Sequence, residues 1–171
     1  LLLIATDVVP VPGGVVAALA LLTAAVHAAR LWLWQPWLTR RAPLVWVLHL
    51  AYAWIVAYLA LRGLAALGLV SPLFAVHALT VGAIGGMTVG MMTRTGRGHT
   101  GRALVADPAE VLCFVLVAIA AVVRVFGGMA LPGFYLASVV ISGACWSAAF
   151  ALYAVTSWPA LTRARVDRKP G

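Results

Sequence analysis

Charged residues are scarce in this 171-residue chain. Only 9% of its residues are charged, with four acidic side chains against twelve basic ones, while 64% are hydrophobic. A soluble domain devotes about a quarter of its residues to charge, because it must cover itself with polar surface. The composition therefore excludes an ordinary soluble domain and predicts an integral membrane protein.

The few acidic residues and cysteines also exclude several kinds of site. All four acids lie near or beyond the ends of the hydrophobic runs: Asp7, Asp107, Glu110 and Asp167. The sequence offers no paired carboxylates inside a membrane, no nucleophile–base pair and no P-loop, so hydrolytic chemistry is not expected there. Cys113 and Cys145 lie inside apolar runs and match neither a disulfide framework nor a metal-binding motif.

Long stretches without charge mark the membrane spans. A spanning helix needs roughly 20 apolar residues, and we predict helices near 14–34, 44–67, 72–94, 108–127 and 132–157. Ser71-Pro72 and Asp107-Pro108 supply helix starts, each with an N-cap followed by proline at the first helical position. Residues 1–5 have the character of the end of a preceding helix. The predicted fold is all-α, a polytopic transmembrane bundle that forms the C-terminal part of a larger membrane protein.

The basic residues set the expected orientation. Ten of the twelve lie in alternate loops or the C-terminal segment on one side, which the positive-inside rule assigns to the cytoplasm. Residues 158–171 then form a basic cytoplasmic tail. The net charge of +8 is spread over short loops and not over a polar surface, so the expected partner is the lipid bilayer and not nucleic acid.

Four histidines are the first candidates for chemistry: His27, His49, His77 and His99. Histidine is costly inside a membrane, and imidazole is a good ligand for copper and for haem iron. Their positions predict a group of three at the cytoplasmic side, formed by His27, His49 and His99, with His77 alone near the outer side. The alternative is that each histidine makes one hydrogen bond across a helix interface.

The third predicted helix has two different faces. Gly82, Gly86 and Gly90 are four residues apart and predict a face against which another helix packs closely. The opposite face carries His77, Thr88 and Met91. We interpret the methionines as gap-filling side chains, their commoner use.

A basic, glycine-rich segment follows this helix, from Thr93 to Arg102. It is predicted to be a loop whose arginines bind a carboxylate or a phosphate, such as the propionates of a haem: Arg94, Arg97 and Arg102. The alternative is a loop that only sets the topology.

Several short runs together resemble one protein family. They are Arg30-Leu31 with Trp34 and Trp37, Pro43 to Tyr52 including Trp46 and His49, His77 to Thr88, Met92 to Arg94, and Gly98 to Arg102. These runs resemble the NnrS family over roughly residues 25–104, and the last two helices fit in placement without a motif.

The resemblance implies a bacterial inner-membrane protein that contains haem b and copper. The family is linked to resistance to nitric oxide and nitrosative stress, often beside denitrification genes. Under this interpretation the four histidines are candidate metal ligands, and the N-terminal half of the same protein is a partner with histidines of its own. The resemblance specifies neither the reaction nor the electron donor.

Two other hypotheses follow from the residues. In a small-solute or ion transporter, the glycine face would permit helix sliding and His77 would gate or relay protons, although no acidic residue lies mid-membrane. A purely structural subunit would hold no cofactor and would tolerate replacement of every histidine.

Overall fold

The computed structural model describes residues 2–6 and 8–166. Five long helices account for most of them: α1 (Gly13–Leu33), α2 (Pro43–Ala66), α3 (Pro72–His99), α4 (Pro108–Ala130) and α5 (Tyr135–Leu161). Each is long and apolar enough to cross a membrane, and this part of the chain contains no strand. The predicted all-α transmembrane bundle is therefore confirmed.

Three short helical turns complete the fold. A turn at Leu2–Ala5 precedes α1, a 3₁₀ turn at Pro36–Thr39 connects α1 to α2, and a second at Pro132–Phe134 connects α4 to α5. The predicted basic tail begins inside α5, and its last part, residues 167–171, lies outside the described residues, as do Leu1 and Asp7.

Both predicted helix starts are present. The Ser71 hydroxyl accepts a hydrogen bond from the Leu73 backbone N–H at 3.4 Å. At the start of α4, the Asp107 carboxylate accepts from the Glu110 backbone N–H at 3.0 Å, and the Glu110 carboxylate accepts from the Asp107 N–H at 2.9 Å. This reciprocal capping box satisfies two N–H groups that the helix itself leaves unpaired.

The basic, glycine-rich segment is mostly helix, which corrects the predicted loop. Helix α3 continues to His99, and the chain turns only at Gly101, where φ is 72°. The extension is stabilised because the Arg97 guanidinium reaches the start of α4, where it pairs with Glu110 and Asp107. This cross-link offsets the low helix propensity of Gly96 and Gly98.

Two helices contain π-helical segments that the sequence did not predict. One spans Ala78–Ile84 in α3, and the other spans Val123–Gly127 in α4. Such segments are rare and are frequently found at functional sites. Their position matters here because His77 directly precedes the first and Arg124 lies within the second.

The glycine face of α3 packs against α2, as predicted. A Cβ atom at Gly82 would collide with the Trp54 ring, one at Gly86 would lie 3.0 Å from the Ala51 Cβ, and one at Gly90 would lie 2.9 Å from the Val47 Cγ1. These three glycines therefore allow the α2 and α3 backbones to approach closely.

The antiparallel helices give the bundle two ends. We call the end where α1, α3 and α5 finish and α2 and α4 begin the basic end, and the other the distal end. The predicted cytoplasmic side corresponds to the basic end. A buried apolar cluster around Val47, Val89 and Phe114 lies nearer the basic end, and a second around Trp54, Ala78 and Val125 lies nearer the distal end.

Candidate functional site

Two of the histidines lie near the basic end and share one structural feature. The His27 Nδ1 lies 2.5 Å from the Tyr52 hydroxyl, and the His49 Nδ1 lies 3.2 Å from the Thr39 hydroxyl. In each case a hydroxyl engages Nδ1 and orients the ring. The Nε2 atoms are left for another partner, as is usual for metal-ligating histidines, whose second nitrogen is hydrogen-bonded.

Trp34 links the surroundings of the two histidines. Its ring centroid lies 6.1 Å from that of His49 and 4.7 Å from that of Tyr52, while Tyr52 contacts His27. The Arg30 guanidinium lies 4.9 Å from the Trp34 centroid. The chain reverses immediately after this tryptophan because Gln35 adopts a left-handed conformation with φ of 51°. Two histidines, two aromatic rings and one arginine therefore meet where α1 ends against α2.

Beside this cluster runs a groove of about 560 Å³ between α2 and α3. His49, Trp34 and Tyr52 line one side, and Met87 and Met91 line the other. The two methionines are one helical turn apart and so face the same groove. Its volume falls in the range of about 300–1,000 Å³ that small-molecule and cofactor sites occupy.

His99 does not join the other two histidines. Its exposed side chain lines a separate groove with Thr95, Met91 and Met92 on the same helix. Within the part of the chain that the structure describes, no three His, Cys, Asp or Glu side chains lie close enough to hold one metal ion. The predicted group of three is therefore not formed, because α3 continues as a helix and carries His99 away from α1 and α2.

The three arginines of the predicted anion-binding segment have different surroundings. The Arg97 Nε donates to both Glu110 carboxylate oxygens at 2.9 and 2.8 Å, and its Nη2 donates to Asp107 at 2.9 Å. Arg97 thus stabilises the bundle and has little capacity left for a ligand. Arg94 is exposed beside His99, whereas Arg102 lines a separate polar cavity of about 320 Å³.

His77 lies at the distal end, as predicted, far along α3 from His99. It makes no hydrogen bond to another described side chain, and its segment Pro72–His77 packs against Val123–Gly127, which contains Arg124. The Arg124 guanidinium lies 5.5 Å from the centroid of the Tyr135 ring. The start of α3, with His77, therefore lies beside the part of α4 that carries Arg124.

Sequence reasoning missed several residues of the basic-end cluster. Thr39 and Tyr52 orient the histidines, and Trp34 links their surroundings, but none of the three was predicted as a site residue. One signal was present: His49 and Tyr52 are three residues apart on α2 and therefore face the same direction. The contact between Thr39 and His49 depends on the 3₁₀ turn, which no sequence pattern indicated.

The fold and composition define a multi-pass α-helical membrane protein. A family model described as NnrS protein matches residues 1–165, nearly the whole chain. The chain belongs to the NnrS family. A search of curated proteins and a search of solved structures found no match.

Proposed function

We propose that this chain acts in a haem- and copper-containing protein of the bacterial inner membrane that takes part in the response to nitric oxide or nitrosative stress. The proposal is supported by membership of the NnrS family over residues 1–165. The structural observation that carries it is the groove in which His49 faces Met87 and Met91. The expected orientation places the basic end and the C-terminus in the cytoplasm.

The side chains of this groove fit copper. An imidazole and two thioethers form a soft ligand set, and soft ligands favour Cu(I). The His49 Nδ1 is already engaged by Thr39, so Nε2 is the nitrogen that would bind the metal. We therefore assign copper to His49, Met87 and Met91, and we revise the interpretation of the two methionines as mere gap-fillers.

The neighbouring cluster fits haem. His27 would hold the haem iron through Nε2, with Tyr52 engaging its Nδ1. Arg30, held over Trp34, would bind a propionate, the role for which the sequence had suggested Arg94, Arg97 and Arg102. When bound, haem and copper supply one-electron chemistry, while the protein binds them and sets their electrostatic surroundings.

Metal analysis and absorption spectroscopy of the detergent-purified protein test this proposal. Wild-type protein should contain copper and show a Soret band. Met91→Leu and His49→Ala should lose copper, and His27→Ala should lose or shift the Soret band. The matched control is Met129→Leu, since Met129 packs in the distal apolar cluster. A colourless, copper-free protein from haem-replete cells would overturn the proposal, and histidine-dependent solute uptake into liposomes would then favour the transporter hypothesis.

A further inference from the structure

At the distal end of the bundle, one side of an arginine guanidinium is buried without a hydrogen-bond partner among the described residues. The Arg124 Nη1 atom is buried and has no hydrogen-bond acceptor among residues 2–6 and 8–166. Asp107 and Glu110, the acidic residues within the described ranges, lie at the opposite end of α4 and pair with Arg97, so neither is available to this guanidinium. Leaving a charged donor buried and unpaired is costly, so such a group in a native structure calls for an acceptor.

Snorkelling does not account for this arrangement. A snorkelling arginine places its charged head in water and buries only its stem, whereas here an Nη atom itself is buried. Arg124 lies six residues before the end of α4, which is roughly 9 Å along the helix axis. The Tyr135 ring covers one face of the guanidinium, at 5.5 Å.

The residues around Arg124 add donors and no negative charge. His77, half-buried and without a hydrogen bond to the rest of the described chain, ends the segment of α3 that packs against Val123–Gly127 of α4. The side chains of the two residues belong to adjacent helices, and each lies at a π-helical segment. An arginine and a histidine on adjacent segments, with no carboxylate among their described neighbours, offer N–H donors to an oxygen-bearing anion.

We propose that Arg124, together with His77, binds an oxyanion of the phosphate type at the distal end of the bundle. The guanidinium donates two parallel hydrogen bonds to the oxyanion, and the imidazole contributes a further N–H. The same chemistry is available from two sources, the phosphate of an anionic lipid headgroup or a soluble phosphate ion. The site is separate from the proposed metal groove and does not depend on it.

Thermal unfolding with two probes tests the site and distinguishes the sources. A ligand that binds only the folded protein raises its melting temperature. Inorganic phosphate at ten times its dissociation constant should raise the melting temperature of the purified protein by about 3–6 °C. In a parallel arm, nanodiscs of phosphatidylglycerol are compared with nanodiscs of phosphatidylcholine, both without free phosphate.

The variants decide the outcome. Arg124→Gln should remove the stabilisation, and Arg124→Lys, which keeps the charge but loses the bidentate geometry, should weaken binding at least tenfold. Arg62→Gln is the matched control, because Arg62 lies at the same end but already donates to the Tyr58 hydroxyl at 2.9 Å. If Arg124→Gln does not fold, Arg124→Lys is compared with the wild-type protein instead.

The two probes distinguish the sources of the oxyanion. Stabilisation by phosphate identifies a soluble anion, and stabilisation by phosphatidylglycerol alone identifies a lipid. No shift in wild-type protein, or an equal shift in the Arg124 variants, would overturn the proposal.

Discussion

At each end of the bundle a half-buried arginine is present, but the two arginines differ in their charge and hydrogen-bond partners. At the basic end, Arg97 meets Glu110 and Asp107, the two acidic residues within the described part of the chain. At the distal end, Arg124 lies against the Tyr135 ring beside the segment that ends in His77, and one of its donors has no acceptor among the described residues. The same side chain is therefore a structural cross-link at one end and an open binding group at the other.

This contrast shows that arginine chemistry in a membrane protein depends on where its few carboxylates lie. The capping box at the start of α4 places Glu110 one turn after Asp107, and both then accept from Arg97. The basic-end segment has the larger number of arginines, yet its central one is neutralised. Two other arginines have a buried Nη1 atom without an acceptor among the described residues: Arg102, beside the polar cavity of the basic end, and Arg124 at the distal end. Only Arg124 lies far from the carboxylates of the described residues.

The largest expected effect comes from breaking the basic-end cross-link. Glu110→Ala would leave the Arg97 guanidinium, whose side chain is 14% exposed, without its main partner. Removing one partner of a buried ion pair costs about 3–5 kcal/mol, because the other charge is left uncompensated. Thermal unfolding of the purified protein should show the loss.

Two further variants make this measurement specific. Arg94→Gln changes an exposed arginine one turn away on α3 and should alter the stability little. The double variant Arg97→Met with Glu110→Leu should recover most of the loss, since neither charge is then buried. Equal stability of Glu110→Ala and Arg94→Gln would show that the cross-link contributes nothing.

Next in size is the effect of adding a methyl group to the helix interface. Gly82→Ala would push a Cβ into the Trp54 ring, and overpacking of this kind costs typically about 1–3 kcal/mol. Gly98→Ala, at the basic end of the same helix, has open space around the new Cβ and should stabilise the helix slightly. In thermal unfolding, we expect Gly82→Ala to lower the melting temperature and Gly98→Ala to raise it. A change in the same direction for both variants would contradict the close α2–α3 contact.

The third effect concerns the orientation of a proposed haem ligand. Tyr52→Phe removes the hydroxyl that holds the His27 Nδ1. Loss of such a supporting hydrogen bond typically lowers metal affinity by about 10–100-fold, and haem retention during purification should fall accordingly. Tyr58→Phe is the control on the same helix, since its hydroxyl faces Arg62 toward the distal end. Equal haem content in both variants would contradict the assignment of His27 as a haem ligand oriented by Tyr52.

The fold was predictable because each element had a local signal. Charge-free runs marked the helices, Ser71 and Asp107 marked two starts, and the spacing of Gly82, Gly86 and Gly90 indicated a close helix contact. Membrane insertion strengthens these signals, since every backbone group must be paired within its own helix.

The candidate site was predictable only in part. All four histidines could be named from the sequence, but their grouping depended on where α3 ends, and the Arg97 cross-link that extends this helix is a tertiary contact. The π-helical segments beside His77 and Arg124 likewise have no known sequence signal. Contacts between helices, such as those of Thr39 with His49 and of Tyr52 with His27, lie beyond local patterns for the same reason.

The smallest expected effect compares the helix caps of the two ends. Ser71 caps α3 through one long hydrogen bond of 3.4 Å, whereas Asp107 makes a 3.0 Å bond to Glu110 and also pairs with Arg97. Replacing an N-cap by alanine costs about 0.5–2 kcal/mol, and Ser71→Ala should fall at the lower limit. Asp107→Ala should cost clearly more in the same unfolding assay, because it removes a cap and an ion pair together. If Ser71→Ala proved as costly as Asp107→Ala, the additional ion pair of Asp107 would contribute nothing measurable, and the expected difference between the two caps would be wrong.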